Sequence, residues 1–466
     1  MRKFKRRQRC SLPFCLFLAA LGTLLLSAAL APRAHAGSKD YWDFEYPLGS
    51  RPVSALELFS QPQGVLINQP LASNYNPALA LNAASGGQSG GSQPFQVAAL
   101  FSWTGATSAT WSDSANWSPA GPPTGADIAA FDGAFSNQPS TGNVVITPIG
   151  ELLMTAGVAQ NVTLSSTGGL ALNINGVAGT GILVNNPNAF TFTISVNLTV
   201  LAAQAWTNNS TNLFTVSGGI LLNNALTVNG TGNTLISGNF QGPGSGATIT
   251  KDGTGTLTLT GNINTGGTQT VNGGTLLENG TSNNHVWTVN NSGTLGGTGT
   301  VGGHVMVNAG GNLAPGNGGN NTAILNTGLL TLATNSNFRI DINGTTVGTQ
   351  YDQLKANAGT VMIGGSNLVV TVGATLMVGQ TFTILNNAGT GTIGGTFAGI
   401  PQGGTVVGSN GTVFSVSYVG DTGNDIVLTV VSAVPEPSTW IGGALAIAGL
   451  AFTQRRRLRK LAAFSR

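Results

Sequence analysis

Cysteine is almost absent from this chain. Its 466 residues hold two, Cys10 and Cys15, and both fall within the first 36. Beyond that point there is no thiol, so disulfides, cysteine metal sites and cysteine nucleophiles are excluded for the body. Histidine is nearly as scarce, with only His285 and His304 past residue 36. Charge is the next shortage: Asp, Glu, Lys and Arg make up 7% of the chain. The formal net charge of +3 misleads, because seven of the 18 basic residues lie in 1–36 and six in 455–466. Only Lys39, Arg51, Lys251, Arg339 and Lys355 lie between. Residues 37–434 hold 14 of the 15 acids, so five positive side chains face fourteen negative ones and the body is at −9. Phosphate backbones are bound by clustered Lys or Arg. The body has no such cluster, which excludes nucleic acid as a partner.

The ends of the chain carry addresses. Arg2, Lys3, Lys5, Arg6, Arg7 and Arg9 form a basic start, and Leu12 to Leu30 is an apolar stretch. Ala34-His35-Ala36 follows as a small-x-small site. These parts predict a secretory signal peptide over 1–36, cut after Ala36 by signal peptidase. The other end reads Val434-Pro435-Glu436-Pro437-Ser438, then an apolar run from Trp440 to Phe452, then Arg455-Arg456-Arg457-Leu458-Arg459-Lys460. That order resembles the PEP-CTERM sorting signal of Gram-negative bacteria. The resemblance implies that an exosortase-type protease recognises Val434, Pro435, Glu436 and Pro437, with Arg455, Arg456 and Arg457 as the membrane stop. It also implies delivery to the cell surface or the extracellular polymer layer, the matrix of a biofilm. The apolar run is short against the roughly 20 residues that span a bilayer. A single short transmembrane helix that anchors the chain transiently is therefore expected.

Residues 37–100 open with Tyr41-Trp42-Asp43-Phe44-Glu45-Tyr46 and drift into the flexible Gly86-Gly87-Gln88-Ser89-Gly90-Gly91-Ser92. The aromatic start is either a docking patch or a segment that packs on the body or stays disordered. From about 101 onward the chain is rich in Gly, Asn, Thr, Val and Leu. Strand-like runs such as Phe338 to Ile342, Leu368 to Val372 and Thr412 to Tyr418 alternate with turn signals such as Asn272-Gly273-Gly274 and Asn410-Gly411. No amphipathic helix is legible in the body. Val289, Leu295, Val301, Val307 and Leu313 stand six residues apart. A short strand plus a tight turn, repeated, winds a chain into a solenoid with one apolar residue per step pointing inward. Three faces per coil give roughly 18 residues per coil. Antiparallel β-sandwich modules remain the alternative.

A second resemblance favours the solenoid. Residues 249–261, Ile249 to Gly261, followed by Gly266-Gly267-Thr268 and Val271-Asn272-Gly273-Gly274-Thr275-Leu276, are similar to the autotransporter-associated β-strand repeat. Gly293 to Gly303, Leu313-Ala314-Pro315-Gly316, Tyr351-Asp352-Gln353-Leu354 and Gly423-Asn424-Asp425-Ile426-Val427-Leu428 continue it. The resemblance implies a parallel β-helix over 249–430. The outer-membrane barrel that closes autotransporters has no room here, and the sorting tail takes its place. Trp103, Trp111 and Trp117, with Pro122-Pro123, resemble the opening found before such repeats. The three indoles either stack on sugar rings or cap the first coil.

The expected fold is thus all-β: a signal peptide (1–36), an N-terminal segment and linker (37–100), a Trp-rich cap (101–135), a parallel β-solenoid (136–432) and a sorting tail (433–466). Catalytic candidates are few. Glycoside hydrolysis needs two carboxylates about 5–10 Å apart, and the nearby pairs in sequence are Asp341 with Asp352 and Asp127 with Asp132. Lys251-Asp252 reads as a turn of the repeat. Asp421 and Asp425 supply oxygens that suit calcium, but in a poor match to a calcium loop that reads better as a turn. Neither histidine sits in a triad signature. No catalytic residue, metal or cofactor is assigned. The expected function is structural or adhesive, with carbohydrate binding or cleavage on a solenoid face as the alternative. Extracellular polysaccharide is the expected class of partner.

Overall fold

The computed structural model describes residues 98–433, apart from 144, 145, 284 and 320, and a helix over 444–456. The signal peptide with Ala34 and Ala36, the segment before 98, the sorting residues Val434, Pro435, Glu436 and Pro437, and Arg457 lie outside the described residues.

Short strands dominate because buried and solvent-facing side chains alternate. Val305-Met306-Val307 is buried, exposed, buried, and most strands repeat that scheme. Three sheets of 14, 10 and 13 strands result. Successive strands go to successive sheets. Trp287–Val289 joins the 14-stranded sheet, Gly293–Gly297 the 10-stranded one and Thr300–Val301 the 13-stranded one. Val305–Val307 then returns beside Trp287–Val289 in parallel. Among the described residues, long parallel sheets with almost no helix fit a β-solenoid.

The six-residue step has a direct counterpart. Val289 pairs with Val307 and Leu295 with Leu313, one coil apart. Those four and Val301 are at most 1% exposed. Each such side chain contributes roughly 1.5–3 kcal/mol by leaving water. The 18-residue coil holds where Gln269 pairs with Trp287 and Trp287 with Val305. Elsewhere the coil lengthens, up to 32 residues from Val361 to Ile393. The extra residues enter corners and loops, where they leave the inward columns in register.

Polar side chains lock the corners. Asn308 Nδ2 donates to Asn290 Oδ1 and Asn290 Nδ2 to Asn272 Oδ1, each at 2.7 Å. Asn272 Nδ2 ends the ladder on Asp252 Oδ1 at 2.9 Å. Gly253, next to Asp252, has φ +71°, and a Cβ there would stand 2.4 Å from the Gly230 carbonyl oxygen of the coil before. Only glycine meets both conditions.

Both ends depart from the parallel rule. Leu100–Trp103 pairs antiparallel with Trp117–Ser118 and parallel with Ile128–Phe131. Trp103, Trp111 and Trp117 are at most 3% exposed and pack on one another, with ring centroids of Trp117 at 5.0 Å from Trp103 and 4.7 Å from Trp111. Indoles buried in this way present no face to a sugar, so the stacking alternative for them is withdrawn. At the other end, Thr405–Val407, Val413–Gly420 and Asp425–Ser432 add antiparallel to Thr381–Asn387. The expectation that Gly423 to Leu428 continues a parallel helix is therefore corrected. The four residues between Gly420 and Asp425 can only reverse the chain, since a parallel neighbour needs a long crossover. Beyond 433, the helix over 444–456 places Arg456 over the Phe452 ring at 4.8 Å. Among the described residues no helix is long and apolar enough to cross a membrane.

Candidate functional site

The surroundings of the candidate carboxylates decide what they can do. Asp341 and Asp352 are brought together, as their sequence spacing allowed. Asp352 is 2% exposed, however, and both its oxygens are occupied. Its Oδ1 accepts the Ala323 N–H at 2.8 Å and its Oδ2 the Asp341 N–H at 3.0 Å. The side chain ties one strand to the chain before the next. Burial pushes its carboxyl up to about 7, against the two N–H donors that favour the ionised form. Asp341 is half-buried on the outward side of its strand, two residues from Arg339. Arg339 Nε in turn donates to Asn312 Oδ1 at 2.9 Å. The pair is built as a clasp. Asp352→Asn is expected to destabilise the fold by about 1–3 kcal/mol, because an amide N–H would face a backbone donor. Denaturant unfolding of the variant checks this.

Asp127 and Lys251 are likewise bonded to backbone, whereas the other ionisable groups differ. Asp127 accepts the Thr124 N–H at 2.9 Å and the Ala99 N–H at 3.2 Å, whereas Asp132 accepts the Thr155 hydroxyl, so the two do not converge on a shared partner. Lys251 is 2% exposed, and its ammonium donates to the carbonyls of Asp252, Gly253 and Gly273. Burial lowers it to about 8. Glu278 is fully buried; its Oε1 accepts the Gly280 N–H at 3.0 Å, while Oε2 has no partner among the described residues. Burial raises it to about 8, and raises Glu151 to about 7. His304 touches the Thr331 hydroxyl at 2.9 Å.

The Asp421–Asp425 turn lines a groove of about 520 Å³ with residues 386–392. Asn424 Nδ2 donates to the carbonyls of Asn387, Gly389 and Gly391 at 2.9–3.1 Å. Asp425 Oδ1 accepts the Asn387 N–H at 2.7 Å, and Asp421 Oδ2 accepts the Thr383 hydroxyl at 2.8 Å. An amide thus occupies the convergence of carbonyls where a cation would sit, and the segment acts as a turn. Among the described residues no three His, Cys, Asp or Glu side chains are grouped to hold a metal ion.

A second groove, of about 560 Å³, arises from unequal corners. Between the 13-stranded and 14-stranded sheets, residues 223–225, 266–268 and 302–304 make three-residue corners. Residues 243–248 make one of six, and the link from Ser282 to Trp287 is also longer than three. The two long corners flank the short one at 266–268 and leave a valley over it. A Cβ on Gly266 would lie 2.5 Å from the Pro243 carbonyl oxygen, so the coils stay tightly stacked there. Gln241, Asn264 and Asn283 climb one side as a ladder. Asn283 Nδ2 donates to Asn264 Oδ1 at 2.7 Å, and Asn264 Nδ2 to Gln241 Oε1 at 3.1 Å. Pro243 and His285 complete the walls, and among the described residues no Asp, Glu, Lys or Arg lines the groove. Sequence reasoning missed this ladder. Its one signal is an outward amide recurring after 23 and then 19 residues, a spacing too uneven to read without the pairing register.

No protein-family model matches the chain, and no curated protein matches it as a relative.

Proposed function

We propose that this chain is an exported structural or adhesive protein of a bacterial surface or extracellular matrix. A leader cut after Ala36 takes it across the inner membrane. An exosortase-type protease then cuts near Pro435-Glu436-Pro437, and the short apolar helix with Arg455, Arg456 and Arg457 holds the chain until it does. The Trp-rich segment serves as the cap of the first coil. One observation carries the reading: a Pro-Glu-Pro tail with apolar run and basic stop follows a coiled body whose buried Asp352 and Lys251 are hydrogen-bonded to its own backbone. Such a body offers faces rather than a reacting centre, and we assign it no catalytic step.

The test is the terminal sequence and intact mass of the protein from cells and from medium. A product starting at Gly37 and ending near Pro435, found outside the cell, is expected. Changing Pro435 and Pro437 to Ala together should leave the chain cell-bound with Arg455 to Arg466 intact. Unchanged release from that double variant would refute sorting at this motif.

A further inference from the structure

We infer that the groove beside Gln241, Asn264 and Asn283 binds an uncharged glycan without chemically altering it. This goes beyond the export reading and does not depend on whether the tail is cut.

Three features converge. The first is shape. The valley lies between the longer links on either side of residues 266–268, two coil steps apart, so its walls stand roughly 10 Å from each other at a strand spacing of about 4.8 Å. Its volume of about 560 Å³ falls in the range of small-molecule sites.

The second is the hydrogen-bonding character of the ladder. Each amide both gives and takes hydrogen bonds, as does each hydroxyl of a sugar. The ladder runs one way, from Asn283 through Asn264 to Gln241. Gln241 Nε2 and Asn283 Oδ1 therefore remain without a partner among the described residues, a donor at one end and an acceptor at the other. All three side chains are exposed. Pro243 and His285 add aliphatic and imidazole surface to the lining.

The third is charge. Among the described residues no carboxylate, ammonium or guanidinium lines the groove. A phosphate or uronate would find no ammonium or guanidinium among the described lining residues and a cation no carboxylate, whereas a neutral polyol needs neither. The missing carboxylates also remove the pair that hydrolysis requires.

The molecule contains its own control. The ladder Asp252–Asn272–Asn290–Asn308 uses the same amide stacking at another corner. None of its members lines this groove. Stacking alone would make the two ladders equivalent, whereas glycan binding distinguishes them.

The experiment is native electrophoresis of the full-length chain, in a non-glycosidic detergent, through gels cast with hydroxyethylcellulose, dextran or polygalacturonate. At least one neutral polymer should retard the chain, equally with and without roughly 0.5 M NaCl, where charge attraction is screened within a few Å. Asn264→Ala should weaken the retardation by about tenfold or more, the equivalent of one lost hydrogen-bonding rung. Asn290→Ala should leave it unchanged. Should Asn264→Ala fail to fold, Gln241→Ala at the exposed end of the ladder gives the same reading. No retardation by either neutral polymer, retardation by polygalacturonate alone, or equal weakening by Asn264→Ala and Asn290→Ala would each overturn the inference.

Discussion

The folded chain is expected to lose stability as pH rises from about 4.5 to about 8, and to regain some of it above pH 8. Three buried carboxyls set the first slope. Glu278 is raised from 4.5 to about 8, Glu151 from 4.5 to about 7 and Asp352 from 3.8 to about 7, each chiefly by burial. In that window the folded state holds protons that the unfolded chain has released. Stability then falls with pH, by about 1.4 kcal/mol per pH unit for each proton held in excess. The contribution is complete below the unfolded values and is lost as pH passes through the folded ones. Lys251 has the opposite sign. It is lowered from 10.5 to about 8, so between those values the unfolded chain binds the extra proton and stability rises with pH. Glu278→Gln isolates the largest carboxyl contribution. Below about pH 5 the variant should be the weaker by about 1–3 kcal/mol, since its amide brings unsatisfied donors into a buried site. Near pH 8 to 9 it should be the more stable, because it has no charge to bury. Denaturant unfolding of both chains across this range gives the two curves. Parallel curves that never cross would mean that Glu278 is not held neutral by the fold.

The same residues show how far the sequence could be read. The inward columns were legible because the solenoid repeats its constraint: Val289, Leu295, Val301, Val307 and Leu313 each fill one step of one face. Coil length was not, outside that stretch. Corners absorb added residues without disturbing the buried columns, so no periodic signal survives from Val305 to Leu330 or from Val361 to Ile393. The antiparallel close was hidden for a related reason. Asp425 to Ser432 is an apolar, β-branched run that suits a strand of either direction, and pairing direction depends on the four-residue turn before it. Asp341 and Asp352 were legible as neighbours. What they do was not, since the backbone donors of Ala323 and Asp341 that occupy Asp352 become visible only when coils are stacked. The ladder of Gln241, Asn264 and Asn283 was lost among the many asparagines that serve corners.

Trp111→Ala is expected to unravel the beginning of the solenoid while sparing its middle. Trp111 is fully buried, stacked on Trp103 at 6.2 Å and edge-on to Trp117 at 4.7 Å. Truncating a buried Trp to Ala costs about 3–5 kcal/mol through lost burial and the cavity left behind. In a stack whose units contact only their neighbours, that loss stays near its source. Amide hydrogen exchange should therefore quicken by two to three orders of magnitude, roughly the same energy at about 1.4 kcal/mol per tenfold, in Leu100–Trp103 and Ile128–Phe131. Val305–Val307 should keep its protection. Trp111→Phe provides the contrast. The indole N–H of Trp111 has no partner among the described residues, although Trp117 Nε1 donates to the Trp111 carbonyl at 2.8 Å. Phenylalanine removes that unsatisfied donor, keeps most of the apolar volume and leaves the carbonyl in place, so its cost should be well below that of alanine. Uniform loss of protection along all coils in Trp111→Ala would mean that the body unfolds as one cooperative unit. The Trp cluster would then be part of a global core rather than the lock on one end.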